Sequence, residues 1–252
     1  MFRRRAYTFI WVFIIFIHVL PTNAKSMPPY KDSGLYVSIA TGISIPLGYF
    51  KSTNYLGYGG YAMNGYGGNL AIEHPIYPGW LGLFFNAGYY VNPFNLSAYE
   101  IAMHPYLTEY PYIRYYLYGG ASPYKEVPLL GGVFFQYSYC KIFVDLKGMI
   151  GINLISYPVV NGTDSIGSHI PIIAPPLPSA LNFLSINSGT GNSFCPYIAY
   201  ALDATVGYRI NKRLELSLNS LYMDDFLGIN HSGSNLIPLS QLYVEMGLVY
   251  HF

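Results

Sequence analysis

Apolar and polar residues alternate along the stretch GLYVSIATGISIPLGYF, which begins at Gly34. Leu35, Val37, Ile39 and the following odd positions as far as Leu47 are mostly apolar, and the positions between them are mostly small or polar. This period of two predicts a β-strand, because a helix would repeat every 3.6 residues. A strand of this length, tilted by about 45°, crosses about 30 Å, which exceeds the ~25 Å apolar band of a membrane barrel.

The same alternation predicts eight strands in all. They span residues 35–47, 66–77, 80–92, 131–139, 142–154, 196–210, 213–223 and 240–252. Nearly all the strand charges fall on the less apolar of the two faces, and the main ones are Glu73, Asp145, Lys147, Asp203, Arg209, Arg213, Glu215 and Glu245. A barrel in lipid would turn this mixed face inward, whereas a secreted soluble β-sandwich would turn it toward water.

The connections between these strands alternate between short and long. YPGW, YCKI and INKR are short, and the other four connections have about 18, 40, 41 and 16 residues. Short periplasmic turns and long external loops are typical of transmembrane barrels. Eight strands enclose a lumen that side chains can fill, so we expect a filled core, with a narrow pore as an alternative.

The composition favours the membrane interpretation. Charged residues make up 10% of the chain and aromatic residues 18%, whereas about 25% charged residues are usual in soluble domains. The chain begins with the basic MFRRR, an apolar run and PTNA, which together have the form of a secretory signal peptide. The alternative, an uncleaved anchor, is disfavoured because the apolar run is short and ends at Pro21.

Cleavage after Ala24 would divide the chain into three parts. We expect a signal peptide over residues 1–24, a short periplasmic segment over 25–33 and a barrel over 34–252. The mature chain would carry ten basic and twelve acidic residues. It has no basic stripe, which argues against binding to nucleic acid.

Four stretches carry a resemblance to a known family. GLYVSIATGISIPLGYF, GYAMNGYGGNLAIE, ALDATVGYRINKRLELSLNSLY and LYVEMGLVYHF resemble the OmpA-like and OmpX-like eight-stranded barrels of Gram-negative outer membranes. The resemblance implies an all-β, antiparallel, up-and-down barrel in contact with outer-membrane lipids. It also implies that the barrel-insertion machinery recognises the last strand, through Val244, Met246, Leu248, Tyr250 and Phe252.

The charges of the mixed face predict a structural ion-pair network, because an unpaired buried charge is costly. Arg209 or Arg213 is expected to pair with Glu215 near the periplasmic end. Lys147 is expected to pair with Asp203 or Glu245 further from that end.

One enzymatic alternative rests on the stretch GINHSGSNL near the last strand. It resembles the His-x-Ser-Asn motif of outer-membrane lipid A deacylases, with one residue too many between His231 and Ser234. A lipid A acyl hydrolase would use His231 with Ser232 or Ser234, and Glu245 would orient the histidine. The simpler interpretation is a polar loop without catalytic function. We see no metal-ligand spacing and expect no metal and no cofactor.

The long loops are the regions in which the sequence predicts a function. Residues 93–130 are rich in tyrosine and predict either a recognition surface or strand extensions above the bilayer. Residues 155–195 hold the proline-rich HIPIIAPPLPSALNFL, expected across the mouth or against headgroups. We therefore expect a structural or surface-interaction role through these loops. Cys140 and Cys195 are predicted to lie too far apart for a disulfide.

Overall fold

The computed structural model describes residues 34–53, 60–77, 80–101, 115–158, 160–164, 194–228 and 239–252. Ten strands lie in these ranges: β1 Tyr36–Leu47, β2 Gly65–Tyr77, β3 Leu81–Asn92, β4 Tyr115–Ala121, β5 Tyr124–Tyr139, β6 Ile142–Ser156, β7 Val160–Asp164, β8 Cys195–Arg209, β9 Leu214–Gly228 and β10 Ser240–His251. One short helix, α1, spans Gly48–Lys51, and residues 96–101 are also helical. No helix in the described ranges is long and apolar enough to span a membrane.

Eight of these strands form one closed antiparallel barrel, in the order β1-β2-β3-β5-β6-β8-β9-β10. The barrel closes where β10 pairs with β1, from Tyr36 opposite His251 to Leu47 opposite Ser240. Closure leaves no strand edge with unpaired backbone groups, and this is the condition for a sheet to cross a bilayer. The prediction of an eight-stranded up-and-down barrel is confirmed.

Burial alternates along each barrel strand with the predicted period. In β10 the odd-numbered residues from Gln241 to His251 are buried, whereas Met246 is 70% and Leu248 45% exposed. The uniformly apolar face therefore points outward and the mixed face lines the lumen. This arrangement excludes the soluble sandwich, in which the apolar face would be internal.

We call the two ends of the barrel the turn end and the loop end. The turn end carries the short connections after β2, β5 and β8, as predicted, and the loop end carries the long ones. Cys140 occupies the two-residue turn between β5 and β6 with a positive φ of 54°. Cys195 begins β8 at the loop end, and the two cysteines do not form a disulfide, as the topology predicts.

The strands extend further toward the loop end than the sequence indicated. β5 begins at Tyr124 instead of residue 131, and β9 continues to Gly228 instead of ending at 223. Pro128 obscured the first extension, because proline in a strand interior argues against a strand. Pro128 nevertheless has a cross-strand partner, Asn153.

The loop end also carries a second, two-stranded sheet. β4 and β7 come from the two longest loops and pair antiparallel, with Tyr115 opposite Asp164. Of the two interpretations of residues 93–130, strand extension is correct for residues 124–130, and β4 is an element that the sequence did not predict.

Candidate functional site

The lumen near the turn end holds an ion-pair cluster around Lys147. Its Nζ atom lies 2.5 Å from Glu73 Oε1 and 3.9 Å from Asp203 Oδ2. The Thr205 hydroxyl donates a hydrogen bond of 3.1 Å to Asp203 Oδ2, and Asp145 is buried beside the cluster. The sequence predicted Asp203 or Glu245 as the partner of Lys147, and Asp203 does lie near it. The shorter contact of Lys147, however, is with Glu73, which was not predicted.

A second cluster closes the lumen at the turn end itself. Arg209 Nε donates to Glu215 Oε1 at 2.6 Å, and His251 Nε2 lies 3.1 Å from the same oxygen. The ring of Tyr36 packs on His251, with centroids 4.2 Å apart. Arg213 does not join this cluster, because it lies exposed in the β8–β9 turn. We call the two clusters together the turn-end network: Glu73, Asp145, Lys147, Asp203, Arg209, Glu215 and His251.

Side chains fill the space around this network. The void beside Lys147, Asp145 and Glu73 offers only about 10 Å³ to the centre of a water molecule, which is near the minimum for one water. Inward-facing glycines admit large rings, since a Cβ atom on Gly82 would lie 2.3 Å from the Phe134 ring. Among the described residues, this part of the lumen is therefore closely packed with side chains.

Glu245 lies further toward the loop end and meets neutral partners. Its carboxylate accepts hydrogen bonds from Asn69 Nδ2 at 2.5 Å and from the Tyr90 hydroxyl at 2.7 Å. The structure therefore does not pair it with Lys147, which was one of the two expected partners. Apolar side chains, including Leu130, Met223 and Tyr243, are packed in the same part of the lumen.

A further set of buried polar residues lies beyond this apolar packing. We call it the loop-end network: Ser44, Asn92, Glu126, Asn153, Asp225 and Gln241. Asn153 Nδ2 donates to Glu126 Oε2 at 3.2 Å and to Asp225 Oδ2 at 3.1 Å, and Gln241 Nε2 also donates to Glu126. Ser44 Oγ donates to Gln241 Oε1 at 2.7 Å.

The sequence reasoning missed both acids of this network. Glu126 and Asp225 lie on the parts of β5 and β9 that the predicted strands left out. The alternation of Tyr124, Glu126, Pro128 and Leu130, all buried, was the signal that would have placed Glu126 inward. The neighbouring Asp224 does not belong to this network. Its carboxylate accepts hydrogen bonds from the hydroxyl groups of Tyr200 and Ser240 instead.

An aromatic cap covers the lumen at the loop end. It consists of Phe50, Tyr61, Phe94, Tyr99 and Tyr124, which are at most 8% exposed and pack edge to face or tilted against one another. Burial raises the pKa of the Tyr61 hydroxyl above its ordinary value.

Backbone hydrogen bonds hold the segments that carry the cap. The backbone amide of Ala62 donates to the carbonyl of Phe50 at 3.0 Å, and the backbone amide of Asn95 donates to the carbonyl of Tyr61 at 2.8 Å. The Tyr124 hydroxyl joins the cap to the barrel wall by donating to the Gly60 carbonyl at 2.8 Å. The cap is thus tied to β5 as well as to its own neighbouring segments.

The remaining predicted site residues are those of the last strand and those proposed for a hydrolase, including Glu245. Met246, Leu248, Tyr250 and Phe252 are exposed on the outer face, and Val244 is partly exposed there. His231, Ser232 and Ser234, proposed for a hydrolase, lie outside the described residues. Glu245, the acid of that proposal, is 1% exposed and already accepts two hydrogen bonds in the lumen.

No family model and no curated protein matches this sequence. Among solved structures, the chain is similar to Neisserial surface protein A, with a TM-score of 0.51, 12% identity, and coverage of 87% of this chain and 98% of that one. It also matches a major outer membrane protein from Thermus thermophilus, with a TM-score of 0.46, 12% identity and coverage of 87% and 98%. For Ail of Yersinia pestis the TM-score is 0.43 at 12% identity, with coverage of 88% and 100%. The protein has the fold of the eight-stranded outer-membrane β-barrels.

Proposed function

We propose that this protein is a non-conducting, non-catalytic barrel of the bacterial outer membrane that acts at the cell surface through its long loops. The aromatic cap is the observation that carries the proposal. A lumen packed with side chains and covered by buried rings offers no path for a solute, so the regions left for function are those outside the barrel. The turn end would then face the periplasm and the loop end the exterior.

The pairing of β4 with β7 supports the same assignment. These strands come from two loops that are far apart in sequence, and their antiparallel pairing gives the loop end a defined backbone beyond the barrel. Loops that present ordered backbone are suited to recognition, because less conformational entropy is lost when a partner binds. The partners we propose are outer-membrane lipids along the wall, a surface ligand at the loops, and the barrel-insertion machinery for the last strand.

The test compares cells that produce the native chain with cells that produce a chain in which short Gly-Ser linkers replace residues 102–121 and 160–193. Heat-modifiable gel migration and surface labelling would first verify that the shortened barrel is inserted. We expect attachment to host cells or to neighbouring bacteria to fall, with unchanged permeability to large antibiotics. Equal attachment by the two strains would contradict the surface role.

A further inference from the structure

Glu126 and Asp225 form a buried acidic pair with no cationic partner among the described residues. Glu126 is 0% and Asp225 2% exposed, and neither forms an ion pair with any described Lys, Arg or His. Their described hydrogen-bond donors are the neutral groups of Asn153, Gln241 and Tyr243. A buried charge without compensation is strongly unfavourable, so the two carboxyl groups must either hold protons or share a positive charge that those side chains do not supply.

A second observation concerns Asn153, which lies between the two acids. The residue is 0% exposed, and its amide nitrogen reaches both carboxylates, which fixes the side chain against the pair. Its carbonyl oxygen Oδ1 has no hydrogen-bond partner, and neither do Glu126 Oε1 and Asp225 Oδ1. Three buried residues in mutual contact therefore each carry an unsatisfied oxygen, and all three oxygens are acceptors.

We propose that Glu126, Asp225 and Asn153 bind one divalent cation, with Ca²⁺ as the best match. Carboxylate and amide carbonyl oxygens are the ligands that Ca²⁺ prefers, and its flexible coordination allows bidentate carboxylates and added water. The two acids balance the charge of one such ion. No three His, Cys, Asp or Glu side chains in the described ranges are arranged to hold a metal, so the site depends on the amide oxygen of Asn153.

The hydrogen bonds that Asn153 forms in the absence of an ion agree with this proposal. The Asn153 amide group donates to both carboxylates, where it acts as a weak substitute for a cation. When the ion binds, a half-turn of the amide would bring Oδ1 toward it and remove both of those donor contacts. Because the aromatic cap covers the network, we expect the ion to enter as the barrel closes, and the experiment therefore includes refolding with the ion present.

Terbium, a luminescent substitute for Ca²⁺, provides the test, because nearby tyrosines such as Tyr243 can excite it. The full chain is refolded in detergent with TbCl₃, and emission on tyrosine excitation is followed. We expect emission that saturates at one ion per barrel, falls when excess CaCl₂ competes during refolding, and is lost in the Glu126→Gln/Asp225→Asn double variant. Asp224→Asn is the matched control, because its carboxylate is hydrogen-bonded to Tyr200 and Ser240, and it should retain the signal.

No emission from the native chain, or equal emission from the double variant, would overturn the proposal. If the double variant does not fold, urea unfolding of the native chain and of Asp224→Asn with CaCl₂ or a chelator decides the matter. We expect Ca²⁺ to raise both unfolding midpoints, by the usual linkage of ligand binding to folding. Unchanged midpoints would indicate that the two carboxyl groups hold protons instead, and this result would also overturn the proposal.

Discussion

The two ends of the lumen satisfy their buried acids in different ways. In the turn-end network, Glu73 and Asp203 lie near Lys147, and Glu215 contacts both Arg209 and His251. In the loop-end network, the described partners of Glu126 and Asp225 are neutral amide and hydroxyl groups. The same inward alternation buries acids at both ends, but only the turn-end network contains cations to balance them. The turn-end network thus holds cations beside its acids, whereas the described partners of the loop-end acids carry no charge.

The largest effect is expected when the turn-end network loses its lysine. Lys147→Met would leave Glu73 and Asp203 without their nearest cation, and breaking a buried pair in this way costs about 3–5 kcal/mol. Urea unfolding in detergent measures this loss. Lys141→Met, in the exposed β5–β6 turn, is the control and should change stability by no more than about 0.5 kcal/mol. Equal losses in the two variants would show that the Lys147 cluster is not a stabilising unit.

A smaller effect is expected at the second turn-end cluster. Arg209→Met removes a charge-assisted hydrogen bond to Glu215, and such bonds contribute about 1.5–3 kcal/mol. His251 still contacts Glu215, and this contact should limit the loss. Arg213→Met tests the alternative pairing proposed from the sequence and should have little effect in the same unfolding measurement. If Arg213→Met were the more damaging substitution, the pairing in the structure would be contradicted.

The aromatic cap can be loosened without disturbing either network. Tyr124→Phe keeps the ring but removes the hydrogen bond to the Gly60 carbonyl, at a cost of about 1 kcal/mol. We expect faster cleavage of the segment around residues 48–62 by an added protease, with little change in global unfolding. Tyr66→Phe, on a ring that is 67% exposed, provides the control and should leave the cleavage rate unchanged. Equal cleavage of the two variants would argue against this tie between cap and barrel.

The smallest effect is expected at Glu245, between the two networks. Its described hydrogen-bond donors are neutral, so Glu245→Gln removes a charge that no described cation balances. Weaker hydrogen bonds should offset this gain, and we expect a change within about 1 kcal/mol in urea unfolding. The matched substitution Glu73→Gln should cost clearly more, because it separates Glu73 from Lys147. If Glu245→Gln destabilised the barrel more than Glu73→Gln, an ion-paired acid would not contribute more to stability than an unpaired one.

The barrel was predictable from sequence because its signal is repeated in every strand. Alternation in 35–47 or 240–252 depends on a buried face and an exposed face, and closure follows once each strand has two neighbours. Glu73, Asp145, Lys147, Asp203 and Glu215 were assigned to the mixed face by the same rule. The contact between Lys147 and Glu73 was not predictable, because it depends on the barrel's shear and on which side chains cross the lumen.

The features at the loop end were missed for local reasons. Pro128 interrupts the sequence signal of β5, and Glu126 was lost with that part of the strand. The pairing of β4 with β7 joins residues 39 to 49 positions apart, from Ala121 opposite Val160 to Tyr115 opposite Asp164. A single sequence carries no signal for such a contact. The cap residues Phe50, Tyr61 and Phe94 lie outside the barrel strands, where periodicity gives no information about burial. The loop end is thus specified by tertiary packing more than by local pattern.

Ion conductance across a planar bilayer tests most directly whether the lumen is packed and covered by the aromatic cap. The full chain, refolded and inserted at a density verified by heat-modifiable migration, would be recorded in concentrated KCl at both polarities. We expect no steady single-channel steps above the bare bilayer, because side chains fill the lumen and buried rings cover its loop end. Steady, reproducible conductance steps from the native chain would contradict this expectation and establish the barrel as a pore.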